Sequence, residues 1–280
     1  MGSDGGDEGG TISYRDILER EMENALREIN RPKRGVFLSG VSAGLNVSFG
    51  ALFMGMALSF SPNFPSPLVE HLTLAMLSTV GFLFVILGQT ELFTAHTTMA
   101  VLPVLDGRAS VGELVQLWAN TYVSNLVGCF VFAALVATLG PAMGIVEPAA
   151  FGSLAASLVP LPWWVVLLSG VVAGWLMGLV TWLVAASRDT VSRVLLVFVI
   201  TAGIGFGPFH HALLGTTEVV SALLLGQGVT LADYGHFLLW TTVGNIVGGS
   251  VLVATINYGH VALAGESVDV EFETGVGDEN

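Results

Sequence analysis

The chain has 280 residues, a formal net charge of −13, 53% hydrophobic residues and only 11% charged ones, with a mean hydropathy of +0.76. Soluble domains carry about 25% charged residues, so the composition excludes a disordered chain and argues against a soluble globule. The acidity excludes a nucleic-acid partner, which would need a basic surface, and the single Cys129 excludes an intrachain disulfide or a cysteine metal cluster.

Charge is segregated along the chain. Residues 1–35 hold eight acids and six bases, residues 36–260 eight acids and three bases, and residues 261–280 six acids and no base. Four segments are predicted from this: a disordered Gly- and acid-rich tail over 1–11, an amphipathic cytoplasmic helix over 12–34, a six-helix transmembrane channel domain over 35–260, and an acidic disordered tail over 261–280. In the second segment Ile12, Tyr14, Ile17, Leu18, Met22, Leu26 and Ile29 recur near helical spacing among Arg and Glu residues. Such a helix lies on the membrane surface or against the body, or is simply an exposed tethered helix. No apolar signal-peptide core precedes it, so the first hydrophobic helix is expected to direct insertion.

A helix needs about 20 mostly apolar residues to cross a bilayer core of roughly 30 Å. Six runs qualify, at about 36–60, 72–104, 114–139, 163–186, 192–225 and 235–258. The second and fifth are too long for one straight span and are interrupted, by Gly88-Gln89-Thr90-Glu91 and by the stretch from Gly203 to His211 that includes Pro208. Both are therefore expected to be broken helices. With six spans, all nine Lys and Arg residues fall on one side, and the loops at 61–71, 140–162 and 226–234 carry none. The positive-inside rule then places both termini in the cytoplasm of a multi-pass protein of the cell (plasma or inner) membrane.

The two halves repeat. Ser39-Gly40-Val41-Ser42-Ala43-Gly44 returns as Ser169-Gly170-Val171-Val172-Ala173-Gly174, and Asn125-Leu126-Val127-Gly128 returns as Asn245-Ile246-Val247-Gly248. Because each half holds an odd number of spans, the second enters from the opposite face, giving an inverted three-plus-three repeat. Unwound backbone is tolerated at membrane depth only where it faces protein or a water-filled path, so a broken helix at the equivalent place in each half points to a solute conduit. The spaced glycines read first as close helix packing. Asn125 and Asn245 are expected to hydrogen-bond across helices, with lining of the path as the alternative.

Ionisable residues at the breaks are candidates for function, since each costs about 2.5–3.5 kcal/mol at membrane depth. Glu91 either caps the half-helix that follows or serves the path, and His96 and His210 are either satisfied buried histidines or participants. His211 is the principal candidate, because imidazole moves between a neutral donor and a cation near neutral pH. Thr94 would offer a hydroxyl beside it, and Phe82, Phe93, Ile204 and Phe209 would oppose bare ions.

At these residues the chain resembles the formate/nitrite transporter family. Glu-Leu-Phe-Thr at 91–94 is similar to the family's acidic-Leu-Phe-Thr motif, Phe-His-His at 209–211 to its Phe-Glu-His motif, and Gly-Asn-Ile-Val-Gly-Gly at 244–249 to its last-helix signature. The resemblance covers about 35–258, and the basic N-terminal stretch is most like the family's poorly characterised inner-membrane branch. It implies an aquaporin-like fold, a homopentamer with one pore per protomer, conduction of a small monovalent anion, His211 at the centre, Thr94 on the break, Leu92 and Phe93 near one constriction and Ile204 near the other. Three departures stand out. His210 replaces the family's usual Glu, residues 140–162 hold no vestibule base, and Trp175 stands where an Asn is common.

The sequence thus predicts an all-α membrane channel or transporter for a small monovalent anion of the formate or nitrite class, with the central histidine passing the anion a proton, and possessing no cofactor and no metal. One alternative is a conduit for water, glycerol or ammonia on the same fold, and another is a non-transporting scaffold or sensor. No phosphate-binding Gly loop, nucleophile elbow, zinc helix or pair of catalytic carboxylates suggests an enzyme. His210 and His211, adjacent on one helix, would point about 100° apart and suit no shared ion.

Overall fold

The computed structural model describes residues 12–60 and 64–263, and all regular structure among them is helical. The helices are α1 (Tyr14–Asn30), α2 (Lys33–Phe60), α3 (Pro67–Leu87), α4 (Phe93–Met99), α5 (Leu102–Leu105), α6 (Val111–Ala142), α7 (Pro148–Ala156), α8 (Trp163–Ala186), α9 (Thr190–Phe206), α10 (Ala212–Leu224), α11 (Leu231–Val247), a π-helical stretch (Gly248–Thr255) and α12 (Ile256–Leu263). Four single helices, α2, α3, α6 and α8, and the continuous Leu231–Leu263 are long and apolar enough to cross a membrane, whereas α9 and α10 are shorter. The chain is therefore a multi-pass membrane protein. Large side chains such as Leu38, Phe84, Phe130, Leu168, Trp175 and Val199 point outward, as a lipid-facing surface requires. Trp175 belongs to that outer surface, 46% exposed.

Local chemistry sets the helix ends. Ser66 accepts from Val69 N–H with Pro67 at the first turn of α3, and Ser110–Glu113 and Thr230–Asp233 form capping boxes that start α6 and α11. These polar first turns carry each helix a few residues beyond its apolar run. The stretch from 140 to 162, expected as a loop, contains α7. Its Phe151 is fully buried and lies against Gly55 of α2.

The repeated glycines are contact points. A Cβ on Gly44 would meet the backbone carbonyl of Asn125, one on Gly128 that of Val41, one on Gly174 that of Asn245 and one on Gly248 that of Val171. The α2–α6 and α8–α11 pairs thus cross backbone to backbone, the packing that small residues permit in lipid.

Helix α1 settles against the body. Ser13 accepts from Asp16 N–H at its start and the chain turns at Pro32 after Asn30. Ile17, Leu18, Met22 and Leu26 are buried with Leu102, Trp182, Val253, Ala254 and Val261, and the Tyr14 ring packs on Trp182 and His260. Helix α12 continues to Leu263, three residues past the tail boundary expected at 260. The tail expected over 1–11, and residues 264–280 of the one expected over 261–280, lie outside the described residues.

Candidate conduit site

Helices α4 and α10 begin in the interior, where unpaired N–H groups would be costly. Two asparagines solve the problem identically. Asn125 Oδ1 accepts from Phe93 N–H at 2.8 Å while its Nδ2 donates to the carbonyls of Gly40 and Glu91. Asn245 Oδ1 accepts from Ala212 N–H at 3.0 Å while its Nδ2 donates to the carbonyls of Gly170 and His210. Two serines complete the match: Glu91 N–H donates to Ser39 Oγ and His210 N–H to Ser169 Oγ. Glu91 thus corresponds to His210, Leu92 to His211 and Phe93 to Ala212. Both asparagines are fully buried, with their amides occupied by these backbone groups.

The correspondence breaks usefully at the position before each short helix. Leu92 precedes α4 and offers no side-chain cap. His211 precedes α10, and its Nδ1 accepts from Leu214 N–H at 3.2 Å. A ring nitrogen that accepts carries no proton, so the hydrogen of the neutral imidazole sits on Nε2. That Nε2 lies 2.9 Å from Thr94 Oγ1, so Nε2–H donates to the hydroxyl and leaves the hydroxyl proton to be given onward. His211 and Thr94, predicted to meet, do meet, both nearly fully buried.

Their surroundings are apolar. The Phe82 ring stands edge-on to His211, centroids 5.0 Å apart at 89°. Leu92, Phe93 and Ile204 are buried in the same hydrophobic cluster as Phe82, and Phe209 packs against it half-buried. The Phe93 ring also lies 4.8 Å from Tyr122.

His210 is occupied elsewhere. Its Nε2 donates to the Leu158 carbonyl at 2.9 Å, and its Nδ1 lies 2.8 Å from Ser169 Oγ. Both ring nitrogens are therefore committed to α8 and to the loop after α7.

Glu91 is not a helix cap, since Phe93 N–H belongs to Asn125. Its carboxylate instead receives Arg31 Nη1 at 3.1 Å and His96 Nε2 at 2.6 Å, and Arg31 also reaches Glu28 at 3.2 Å. The chain can turn there because Gln89 adopts a positive φ of 51°. This cluster walls a cavity of about 850 Å³ between α1, the 88–92 turn, α4, α8 and the start of α9. Inside it, burial pushes the Glu21 carboxyl of α1 up to about 7, only partly offset by the Thr181 hydroxyl, and Glu21 Oε2 has no hydrogen-bond partner among the described residues. Burial, reinforced by the charge of Glu91, also raises Glu28 above the usual carboxylate range against the pull of Arg31.

Sequence reasoning missed Ser39 and Ser169, although each heads one of the repeated sextets. It missed Arg31, whose partner is 60 residues away. It also missed Glu218, an acid within a predicted span and 7% exposed.

The comparisons with known proteins converge on one group. The family model described as formate/nitrite transporter matches residues 15–259. The chain belongs to the formate/nitrite transporter family. A nitrite transporter of Escherichia coli, NirC, is 27% identical over 247 residues, covering 86% of this chain and 90% of that protein. A probable formate transporter of Methanothermobacter thermautotrophicus is 30% identical, covering 83% and 92%. The inner membrane protein YfdC of Escherichia coli is 25% identical, covering 88% and 78%. A solved FNT family ion channel superposes with a TM-score of 0.79 at 26% identity over 88% of this chain and 98% of its own. A pentameric formate channel with formate bound shares the fold, with a TM-score of 0.73 at 19% identity over 82% and 98%. All of these but YfdC are named as transporters or channels.

Proposed function

We propose that this member of the formate/nitrite transporter family is a channel for small monovalent anions of the formate or nitrite class. In this reading the spans form an inverted three-plus-three repeat, α3–α4 and α9–α10 are its broken second and fifth spans, both termini are cytoplasmic, and five copies assemble in the cell membrane with one pore each. The matched Asn125 and Asn245 bonds support the repeat, and the formate-bound pentameric neighbour supports the assembly and the solute class.

The observation that carries the reading is the Thr94–His211 pair within an apolar cluster. A bare anion entering hydrocarbon loses its hydration, a cost of many kcal/mol. A hydroxyl proton backed by an imidazole N–H returns part of it at one point. With Nδ1 held by Leu214, His211 serves as a fixed donor rather than as an imidazolium, so the proton that neutralises a passing anion comes from the aqueous side. The apolar walls then admit the neutral acid and reject the ion. Leu92, Phe93, Phe82, Ile204 and Phe209 are the walls; Asn125 and Asn245 hold the two helix starts, and His210 and Glu91 brace the turns beside them.

A neutral solute is the second reading, favoured by the absence of a formal positive charge at the Thr94–His211 pair. The test is uptake of labelled formate and nitrite into proteoliposomes, with glycerol as control, at about pH 5.5 and about pH 7.5, for the wild type and His211→Ala. Anion uptake that is faster in acid and lost in the variant is the expected result. Glycerol uptake without anion uptake, or anion uptake indifferent to His211, overturns it in favour of the neutral solute.

A further inference from the structure

One ionisable side chain in the interior is used by nothing described so far. Glu218 sits two turns along α10 from His211, 7% exposed, and among the described residues no group hydrogen-bonds or ion-pairs with it. A carboxyl without a partner at membrane depth is costly, so its retention calls for a role.

Its direction follows from helix geometry. Residues three and four apart share a helix face, which puts Leu214, Glu218 and Ser221 in one stripe that continues from His211. The stripe's neighbours are known at its inner end. His211 packs on Phe82 of α3, and Leu214 lies where Gly50 of α2 approaches the Ser78 carbonyl of α3. Phe82 and Ser78 are themselves one turn apart on α3, so the first two residues of the stripe meet α3 in the same order as the stripe rises. The next turn of the stripe carries Glu218, about 10 Å from the level of His211 at 1.5 Å per residue. Beyond it Ser221 Oγ is buried with no partner among the described residues. The other faces of α10 are taken: Thr217 bonds Ser48 of α2, Thr216 lies 3.3 Å from Tyr234 of α11, and Cys129 of α6 contacts the Leu213 carbonyl. This end of α10 packs on α7, at the end of the molecule away from α1.

We propose that Glu218 is a second polar station of the conduit, facing the path on the side of His211 away from α1 and selecting its solute by its protonation. The inference rests on the conduit reading above and extends it. Protonated, the carboxyl donates an O–H to an anion arriving from that side. Ionised, it repels the anion, and the conduit closes to anions while remaining open to neutral solutes. The titratable groups on the surrounding elements are few: Glu113, Tyr122 and Cys129 of α6, Asp233, Tyr234 and His236 of α11, Glu70 and His71 at the outer end of α3, Glu147 at the start of α7, and His211 on the same stripe. Lys33 and Arg34 of α2 lie at its opposite end, and α7 itself carries none.

Two measurements test this. In proteoliposomes, formate uptake by Glu218→Gln is expected to match the wild type at about pH 5.5 and to exceed it about tenfold at about pH 8, because an amide stays neutral and keeps a donor. A ratio of variant to wild type that is the same at both values overturns the proposal. The second measurement uses only the wild type in liposomes: dicyclohexylcarbodiimide, which adds a protonated carboxyl across its C=N bond, is followed by peptide mass spectrometry. Modification of Glu218 that declines as pH rises is expected, and no modification at acid pH overturns a carboxyl open to the path. If the wild type passes neither formate nor nitrite, the anion reading fails while the labelling still decides the placement of Glu218.

Discussion

Asn125 and Asn245 make the same three hydrogen bonds, each accepting from the first N–H of a short buried helix and donating to two carbonyls on the partner strand of chain and the neighbouring helix. Replacing either with Ala strands three backbone groups at membrane depth, at about 1–3 kcal/mol each. Asn125→Ala and Asn245→Ala are each expected to lower the melting temperature in detergent sharply. Asn→Asp keeps the acceptor but removes both donors, so it is expected to fare no better. Wild-type melting curves for either Ala variant would contradict this account of the helix starts.

Thr94 receives the His211 N–H, and in the proposed conduit its own hydroxyl proton goes to the solute. Thr94→Val keeps shape and removes both roles, whereas Thr94→Ser keeps both. Losing one buried hydrogen bond of about 1.5 kcal/mol corresponds to roughly a tenfold drop in anion uptake for Thr94→Val, with Thr94→Ser near wild type. Equal uptake by the two variants would remove Thr94 from the path.

Arg31 ties α1 to the turn before α4 through Glu91. A half-exposed pair of this kind contributes about 1 kcal/mol or less, so Arg31→Ala is expected to speed proteolysis within residues 12–34 by a few-fold without unfolding the body. Limited trypsin digestion of liposome-embedded protein reads this directly. An unchanged digestion pattern would mean that the apolar face of α1 holds it alone.

Docking of α1 should also depend on pH through Glu21, whose carboxyl rises from 4.5 free to about 7 when buried. A group raised on docking binds its proton more tightly in the docked form. Its contribution is therefore complete below about 4.5 and is lost as pH climbs through about 7. Glu28, raised in the same direction, adds to it. Hydrogen exchange of α1 amides is expected to quicken between these values in the wild type and to change less in Glu21→Gln. The opposite trend would show that the carboxyl finds a partner when ionised.

Much of this arrangement was legible in the amino-acid order because hydrocarbon imposes its length on apolar runs. The run at 163–186 coincides with α8, the interruption at Gly88–Glu91 falls on a turn, and that expected from Gly203 begins later, since α9 runs on to Phe206 and only residues 207–211 lie between helices. The pairing of Thr94 with His211 was also readable, since both stand at those interruptions. What escaped were features that depend on a partner far along the chain or on a polar first turn. Helix α7 is nine residues long, too short for a hydropathy signal. The Glu91 carboxylate looked like a cap of α4 but is shared between His96 of α4 and the distant Arg31, and α3 and α6 begin earlier than their apolar runs because Ser66 and Ser110 cap them. Glu218 was hidden by its own neighbourhood, a single acid whose direction only the helix phase reveals.

The π-helical stretch from Gly248 to Thr255 bears on everything that follows it. A wider turn holds more residues per revolution than an α-turn, so the angular phase of α12 is set by this segment rather than by α11. Ser250 donates to the Thr97 carbonyl, and Gly249 lies against Thr97 and Thr98, so the widened turn seats α4 as well. Val253, Ala254 and Val261, which receive α1, lie within and just beyond it. Deleting one residue here would rotate the receiving face by about 100° and turn Val261 away from Leu18 and Met22. The end of the last span thus works as a key whose rotation decides whether the first helix has a seat.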